Sequence, residues 1–241
     1  MPKLRFAVIG CGFWSQFQIA AWMEWKDEVE LVALCDRNRA NAEKRAQQFG
    51  VKTCYEDAAA LFAGEQLDFV DIITDPDTHP RFVHLAAEHG VAAICQKPMA
   101  PDYAQSQAML AACQAGAVPF FIHENFRFQL PIRALKAQLD AGLIGRAFKA
   151  RVSFCSAFPV FDNQPNLAEL DQFILTDIGS HVLDICRYLF GEARSLYCRT
   201  QTVNPRIKGE DVANVLMEME SGLHWYAEMF YASILEREAL P

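Results

Sequence analysis

A histidine between two aspartates is the group in this chain with the clearest capacity for proton transfer. Asp177, His181 and Asp184 are spaced i, i+4 and i+7, so a helix would place them in one stripe beside an apolar stripe. An imidazole with its ordinary pKa of about 6.5 can accept a proton from a hydroxyl group, and an adjacent carboxylate orients the ring. The spacing also suits a surface ion pair or a helix-capping set. A metal site is least favoured, because no other His or Cys cluster lies nearby in the sequence.

Lys97 is the second candidate, because it stands directly after a predicted buried strand. Open α/β sheets bind ligands at the carboxyl ends of their strands. Burial beside a positive group would lower the pKa of a lysine from about 10.4, so Lys97 could hydrogen-bond a substrate oxygen or pass on its proton. Pro98 restricts the following backbone and permits a cis peptide bond. A solvated lysine in a loop remains the alternative.

A glycine-rich turn stands between the first predicted strand and the first predicted helix. Residues 10–15 read GCGFWS, a G-x-G-x-x-S pattern with Ser15 at the third small position. Backbone amides at such a helix N-terminus can face a pyrophosphate, which favours a dinucleotide site over a purely structural turn. Gly10 and Gly12 would form the turn. Trp14 could pack or wall the groove.

Asp36, at the end of the next predicted strand, strengthens this interpretation. Its carboxylate can accept hydrogen bonds from both ribose hydroxyls and repels a 2′-phosphate, which favours NAD over NADP. Arg37 leaves NADP open, because a guanidinium there could pair with that phosphate.

The elements that must position these residues alternate in the first half of the chain. Short, nearly continuous apolar runs are separated by amphipathic helical stretches, which predicts βαβ units and a parallel sheet covered on both faces. The predicted strands are LRFAVI, VELVALC, KTCY, FVDIIT, VAAIC and VPFFI. The predicted helices lie near Phe13–Trp25, Arg39–Phe49, Asp57–Phe62, Pro80–His89 and Asp102–Gln114.

The pattern changes after Ile122, where we place the domain boundary. A helix is predicted over Pro131–Ala141 and another from about Asp177 to Phe190, among strands that alternate apolar and polar residues. These strands are AFKARVSFCSAF, SLYCRTQTV, VANVLMEME and LHWYAEMFY, the last two joined by a Ser221-Gly222 turn. The expected fold is α/β, with a doubly wound parallel sheet in residues 1–122. An α+β domain with a mostly antiparallel open sheet is expected in residues 123–241.

Composition excludes several classes of protein. The net charge is −8 over 241 residues and no basic block exceeds two residues, so nucleic acid is not an expected partner. Apolar runs are too short for a transmembrane helix, and no signal peptide is recognisable, so we expect a soluble cytoplasmic protein without a membrane partner. The eight cysteines are too widely spaced for C-x-x-C pairs, which indicates reduced, mostly buried thiols.

Four separated motifs resemble those of the Gfo/Idh/MocA oxidoreductases. They are AVIGCGFWS, DIITDPDTHPRFVHLAAEHGVAAICQKPMA, ENFRFQLPIRALKAQLDAGLIG and TDIGSHVLDICRYLFG, in the family's order over roughly residues 4–231. The resemblance implies a Rossmann dinucleotide-binding domain followed by a domain for substrate binding and oligomerisation. It does not specify the substrate, since the family acts on sugars, polyols, inositols, diols and amino-sugar glycosides.

The resemblance also implies roles for individual residues. Lys97 stands where relatives place a lysine beside the nicotinamide, and His181 and Asp177 stand where they place the catalytic histidine and its polar partner. Most relatives have Glu-Lys-Pro where this chain has Gln-Lys-Pro at positions 96–98. Gln96 keeps a hydrogen-bond acceptor and loses the negative charge of the glutamate. Cofactor contacts are implied for Gly10, Gly12, Phe13, Trp14, Asp36, Arg37, Thr74, His79, Gln96, Lys97, Asn125 and Arg127.

The function implied is hydride transfer between NAD, or NADP, and a carbinol or carbonyl carbon of a sugar, polyol or inositol-like substrate. One alternative is a glycosidase of the same superfamily that oxidises and re-reduces its sugar within one cycle. Another is a non-catalytic dinucleotide sensor, with which Gln96 is compatible.

The last predicted strand bears on assembly. Trp225, Ala227 and Met229 on one face and Tyr226 and Phe230 on the other are all apolar, so both faces need cover. Relatives continue beyond this strand, so the sequence is expected to be a fragment or to have a reduced second sheet. We therefore expect a homo-oligomer formed through the C-terminal sheet.

Overall fold

The chain divides into two compact units, Met1–His123 and Glu124–Pro241. The computed structural model describes residues 2–231. None of the helices in that range is both long and apolar enough to cross a bilayer.

The first unit is built on a six-stranded parallel sheet in the order β3-β2-β1-β4-β5-β6. This is the strand order of a Rossmann fold, so the predicted fold class is confirmed. The strands are β1 (Leu4–Ile9), β2 (Val29–Cys35), β3 (Thr53–Tyr55), β4 (Phe69–Ile72), β5 (Ala92–Cys95) and β6 (Phe120–Ile122). The helices are α1 (Ser15–Met23), α2 (Arg39–Phe49), α3 (Ala58–Gly64), α4 (His79–Glu88) and α5 (Tyr103–Ala115).

Alternate residues of β1 explain why both faces of this sheet are covered. Ala7 and Ile9 belong to one hydrophobic cluster, which includes Val83 of α4, whereas Phe6 belongs to another cluster, which includes Ile19 of α1. Successive strand side chains point to opposite faces, so an apolar run can be buried only between two helical layers. The arrangement leaves the carboxyl edge of the sheet to the connecting loops.

The second unit carries a four-stranded mixed sheet in the order β7-β10-β9-β8. Strand β10 is antiparallel to β9 and parallel to β7, while β8 is antiparallel to β9. The strands are β7 (Lys149–Cys155), β8 (Ala193–Gln201), β9 (Val212–Met219) and β10 (His224–Phe230). The helices are α6 (Leu130–Asp140), α7 (Val160–Asn163) and α8 (Ser180–Phe190).

The two faces of β10 differ in polarity. Trp225, Ala227 and Met229 are buried in the cluster that contains the apolar side of α8. On the opposite face the Tyr226 hydroxyl donates to the Asn214 side chain at 2.8 Å, and Glu228 is bonded by Arg151 and Ser153. The second face is therefore less apolar than predicted, because it also carries charged and hydroxyl groups. These groups form hydrogen bonds with one another.

The helix predicted from Asp177 begins later than expected. Leu175–Gly179 forms a wider π-helical turn, and α8 starts at Ser180. Within this turn the Leu175 N–H donates to the Glu210 carboxylate at 3.2 Å. The i, i+4 stripe assumed a regular α-helix, and a π turn breaks that assumption.

Candidate functional site

The glycine-rich turn has the shape that a diphosphate requires. Gly10 has φ of +99°, and a Cβ at this position would lie 2.2 Å from the carbonyl oxygen of Ile73, so only glycine fits. A Cβ on Gly12 would meet no atom within 4 Å, which leaves open space ahead of the α1 N-terminus. Backbone amides and the helix dipole favour an anion there. The turn therefore fits a dinucleotide.

Asp36 is held at the end of β2 beside this turn. One carboxylate oxygen accepts from the Cys11 N–H at 2.8 Å, and the other accepts from the Asn38 N–H at 2.8 Å. These bonds fix the carboxylate while each oxygen keeps a lone pair for a ribose hydroxyl. Arg37 follows as an exposed side chain.

Ser15, at the third small position of the motif, ties the turn to α2. Its hydroxyl donates to the Gly12 carbonyl at 2.7 Å and accepts from Nε of Arg45 at 3.0 Å. Arg45 is 5% exposed and also donates to the Gly12 carbonyl at 2.9 Å. Sequence reasoning missed this role, because an arginine inside a polar helix ordinarily faces solvent.

Phe13 and Trp14 present aromatic rings beside the turn. Both are exposed, and each ring packs against Phe17, at centroid distances of 5.4 and 5.5 Å. They are available to a ligand bound at the turn. Trp14 occupies the N-cap position of α1 without a side-chain capping bond.

His79 connects two loops at the carboxyl edge of the sheet. Nδ1 lies 3.0 Å from the Pro98 carbonyl oxygen and Nε2 lies 3.0 Å from that of Thr74. The residue is 0% exposed, and burial lowers the pKa of the imidazole although the carbonyl oxygens oppose this shift. The resemblance implied cofactor contact for His79. In the structure the buried ring bridges the loops that follow β4 and β5, and the cofactor contact stays a prediction.

Lys97 lies where the sequence predicted, in the loop directly after β5. Its N–H donates to the side-chain oxygen of Gln96 at 2.8 Å, and the Lys97-Pro98 peptide bond is cis. Thr74 lies after β4, and its hydroxyl accepts from Thr78 at 2.8 Å. The loops that follow β4 and β5 thus carry Thr74, Gln96 and Lys97 at one edge of the sheet.

Asp71 is a buried carboxylate that the sequence interpretation missed. It lies inside β4, is 0% exposed and accepts hydrogen bonds from Gln18 and Trp22. The available signal was its position, a lone acid within the apolar run FVDIIT. Such a carboxylate is tolerated only when several donors surround it.

In the second unit, the His181 ring lies in the first turn of α8 between a carboxylate and an aromatic ring. Nδ1 is hydrogen-bonded to Glu124, and the ring stacks on Phe126 with centroids 4.0 Å apart and planes 6° apart. His181 is buried. A buried imidazole with a bonded carboxylate has the arrangement of an oriented general base.

Asp177 was predicted to support His181, and the structure gives that contact to Glu124. The Asp177 carboxylate accepts from the Tyr231 hydroxyl at 3.3 Å, and burial together with this carboxylate raises the pKa of Tyr231. The π turn explains the exchange, since Asp177 does not precede His181 by one α-helical turn. Glu124 follows the end of the first unit by one residue.

Arg127 is bound to Asp184 within the second unit. Nε donates to one carboxylate oxygen at 2.7 Å and a second nitrogen donates to the other oxygen, which raises the pKa of Arg127. Asp184, the third member of the predicted polar stripe, therefore holds an arginine, and cofactor contact by Arg127 stays a prediction. Asn125 is exposed and precedes the short 3-10 turn Phe126–Phe128.

Burial also affects the cysteine thiols. Burial raises the pKa of the Cys35 and Cys186 thiols to about 12, so both remain protonated at neutral pH. Five of the eight cysteines are buried. Within residues 2–231, no group of three or more His, Cys, Asp or Glu side chains is arranged as metal ligands.

Comparison with known families finds matches to both units. Residues 4–123 match the oxidoreductase family with an NAD-binding Rossmann fold, and residues 132–238 match the GFO/IDH/MocA C-terminal domain. Among solved structures, an oxidoreductase from Agrobacterium radiobacter in complex with NAD+, L-tartaric acid and magnesium superposes with a TM-score of 0.95. It is 44% identical, and the match covers all of this chain and 70% of that one.

Two curated relatives are D-apiose dehydrogenases. The protein from Paraburkholderia graminis is 48% identical over 241 residues, and the protein from Rhizobium rhizogenes is 45% identical over 241 residues. The chain spans 64% of the length of the first and 70% of the second. The resemblance found in the four sequence motifs is thereby confirmed, and the chain belongs to the Gfo/Idh/MocA oxidoreductase family.

Proposed function

We propose that this chain acts in an NAD-dependent dehydrogenase that oxidises a carbinol carbon of a sugar or polyol-like substrate, or reduces the corresponding carbonyl. Family membership supports the reaction class, and the two D-apiose dehydrogenases among the relatives support the substrate class. D-Apiose is the first substrate to test.

The observation that carries the proposal is the bond between His181 and Glu124. A neutral imidazole that donates from Nδ1 to a carboxylate has its lone pair on Nε2, where it can accept the proton of a substrate hydroxyl. Glu124 then stabilises the imidazolium that forms. The stacked Phe126 ring fixes the plane of the imidazole.

The first unit would hold the dinucleotide. Gly10 and Gly12 leave room for the diphosphate, and Asp36 would accept the ribose hydroxyls. When bound, NAD supplies the acceptor for the hydride. The negative charge of Asp36 supports NAD over NADP, and exposed Arg37 makes the comparison of the two a necessary measurement.

We place Lys97 beside the substrate oxygen, where its ammonium would stabilise negative charge that develops as the proton leaves. In the second unit, His181 would accept the proton of the substrate hydroxyl, with Asp177 as an additional polar group.

We also propose that the protein acts in the cytoplasm as a homo-oligomer. The support for an oligomer is the sheet of the second unit, whose edge strand β8 exposes Leu196 and Tyr197 and whose β9 exposes Leu216. The mostly buried, unpaired thiols fit a reducing compartment.

The test is NADH formation from D-apiose and a panel of aldoses and polyols, followed spectrophotometrically for the wild type and Lys97→Ala. We expect turnover by the wild type and at least a roughly 100-fold loss in the variant, with NADH affinity retained. Exposed Lys44 provides the matched control, Lys44→Ala.

Each alternative function predicts a different experimental result. Release of phenol from aryl glycosides without net NADH would support the glycosidase. Tight NADH binding without turnover of any substrate would support the sensor. Full activity of Lys97→Ala would remove Lys97 from the mechanism.

A further inference from the structure

A chain of polar side chains runs from the buried Asp71 to the backbone of Lys97 inside the first unit. Asp71 accepts from Nε2 of Gln18 at 2.8 Å and from Nε1 of Trp22 at 2.7 Å, and Nε2 of His123 lies 3.2 Å away. The two N–H donors, together with the adjacent His123 ring, compensate the loss of water from this carboxylate. No role in cofactor or substrate binding accounts for this cluster.

The buried carboxylate determines the orientation of two amides in succession. A carboxylate only accepts, so Gln18 must direct its NH₂ group toward Asp71 and its oxygen away. That oxygen accepts from Nε2 of Gln96 at 3.0 Å. The remaining oxygen of Gln96 therefore faces the Lys97 N–H, from which it accepts at 2.8 Å.

This polarity explains why position 96 carries an amide. A glutamate at this position would have only acceptors and would meet the Gln18 oxygen, which is also an acceptor. Gln18 could rotate its NH₂ group toward that glutamate only by turning its own oxygen toward Asp71. Either arrangement leaves a buried acceptor facing another acceptor, which is costly.

We propose that Asp71, acting through Gln18 and Gln96, is a positioning residue that fixes the backbone of Lys97 and requires an amide at position 96. The inference rests on the proposed function for its kinetic effect. The network itself is independent of that function.

The experiment is a double-mutant cycle of Gln96→Glu and Asp71→Asn in the full chain. In Gln96→Glu the chain of donors is broken, and we expect kcat to fall about tenfold. Adding Asp71→Asn supplies an NH₂ group at position 71. When the Gln18 amide is turned around, its oxygen accepts from this NH₂ group and its own NH₂ group donates to the carboxylate introduced at position 96. The double variant should recover to within about threefold of the wild type.

The diagnostic result is that Asp71→Asn changes kcat in opposite directions in the two backgrounds. Asp71→Asn alone should lower kcat, by about threefold, whereas in the Gln96→Glu background it should raise kcat. The affinity for NADH should remain constant across the cycle. A residue that only stabilised the fold would not improve catalysis in one background and impair it in the other.

Urea unfolding of the same four proteins separates this inference from the proposed function. We expect the unfolding equilibrium constant to show at least about tenfold coupling between the two positions. Additive stabilities would overturn the network. Coupled stabilities with equal kcat values would overturn positioning of Lys97. A wild type without turnover would refute the proposed function and leave the stability cycle as the test of the network.

Two further variants complete the design. Gln47→Glu makes the same chemical change at an exposed site of α2 and should leave kcat unchanged. Gln96→Ala removes the amide without adding a charge, so Asp71→Asn should not rescue it. Rescue of Gln96→Ala by Asp71→Asn would contradict the proposed order of donors and acceptors. If Gln96→Glu does not fold, Gln96→Ala takes its place in the double-mutant cycle.

Discussion

Each unit of this protein buries a histidine, and the two sites differ in what surrounds the ring. His79 in the first unit lies between backbone carbonyl oxygens, 3.0 Å from those of Pro98 and Thr74. His181 in the second unit is bonded to the carboxylate of Glu124 and stacked on Phe126. Burial alone therefore does not identify a catalytic histidine.

The difference lies in how each site responds to a proton. Around His79 the acceptors are neutral dipoles, and burial lowers the pKa of the ring below its usual value. Around His181 a carboxylate can balance the charge of an imidazolium. The first arrangement suits a structural brace, whereas the second suits a group that accepts and releases a proton.

The largest expected effect concerns the second site. Glu124→Gln keeps the shape of the side chain and removes the charge that balances the imidazolium, so kcat should fall about 100-fold. The free energy of unfolding should change by less than about 1 kcal/mol. Steady-state kinetics and urea unfolding measure the two quantities.

The control for this change is Glu220→Gln, which alters an exposed glutamate of the same unit. Its kcat should match that of the wild type. If Glu124→Gln also retains kcat to within about threefold, the carboxylate is not part of the proton-transfer site.

A smaller effect is expected in the first unit, and it should appear in stability. His79→Ala leaves a cavity and removes the contacts that join the loops after β4 and β5. The free energy of unfolding should fall by about 2 to 3 kcal/mol, as measured by urea denaturation. An unchanged stability would show that the ring is not a brace.

The smallest effect is a pH dependence that belongs to His79. Its pKa is lowered in the folded protein, so the unfolded chain binds more protons near its ordinary pKa of about 6.5. The stabilisation is complete above that pH and is lost as the pH falls toward the folded pKa. The free energy of unfolding should therefore be smaller at about pH 5.5 than at about pH 7.5.

Thermal unfolding of the wild type and His79→Gln at both pH values tests this dependence. The variant cannot titrate at this position, so its loss of stability on acidification should be smaller than that of the wild type. Equal pH dependence in the two proteins would contradict a lowered pKa at His79.

Much of the fold could be predicted because its signals are local. The apolar runs indicated all six strands of the parallel sheet, and Gly10 marked the turn after β1 through a backbone requirement that only glycine meets. The predicted start of α8 was wrong. The Leu175 N–H is bonded to Glu210, a residue 35 positions away, and no local pattern reports that contact.

The candidate site divides in the same way. Lys97 and His181 were predicted from their positions after a strand and on a helix, together with the family motifs. Glu124 is bonded to His181 across 57 positions, and no local spacing predicts that contact. Proximity in sequence favoured Asp177 for that contact, and proximity in space favours Glu124.

The parallel sheet, its glycine turn and the residue types able to move a proton follow from the amino-acid sequence, because periodicity, backbone conformation and side-chain chemistry are properties of short segments. The folded arrangement was needed to establish which carboxylate meets His181, that His79 is a brace, and that Asp71 orders the amides of Gln18 and Gln96. Those outcomes depend on donors and acceptors brought together from distant segments, where burial makes every unmatched polar atom costly.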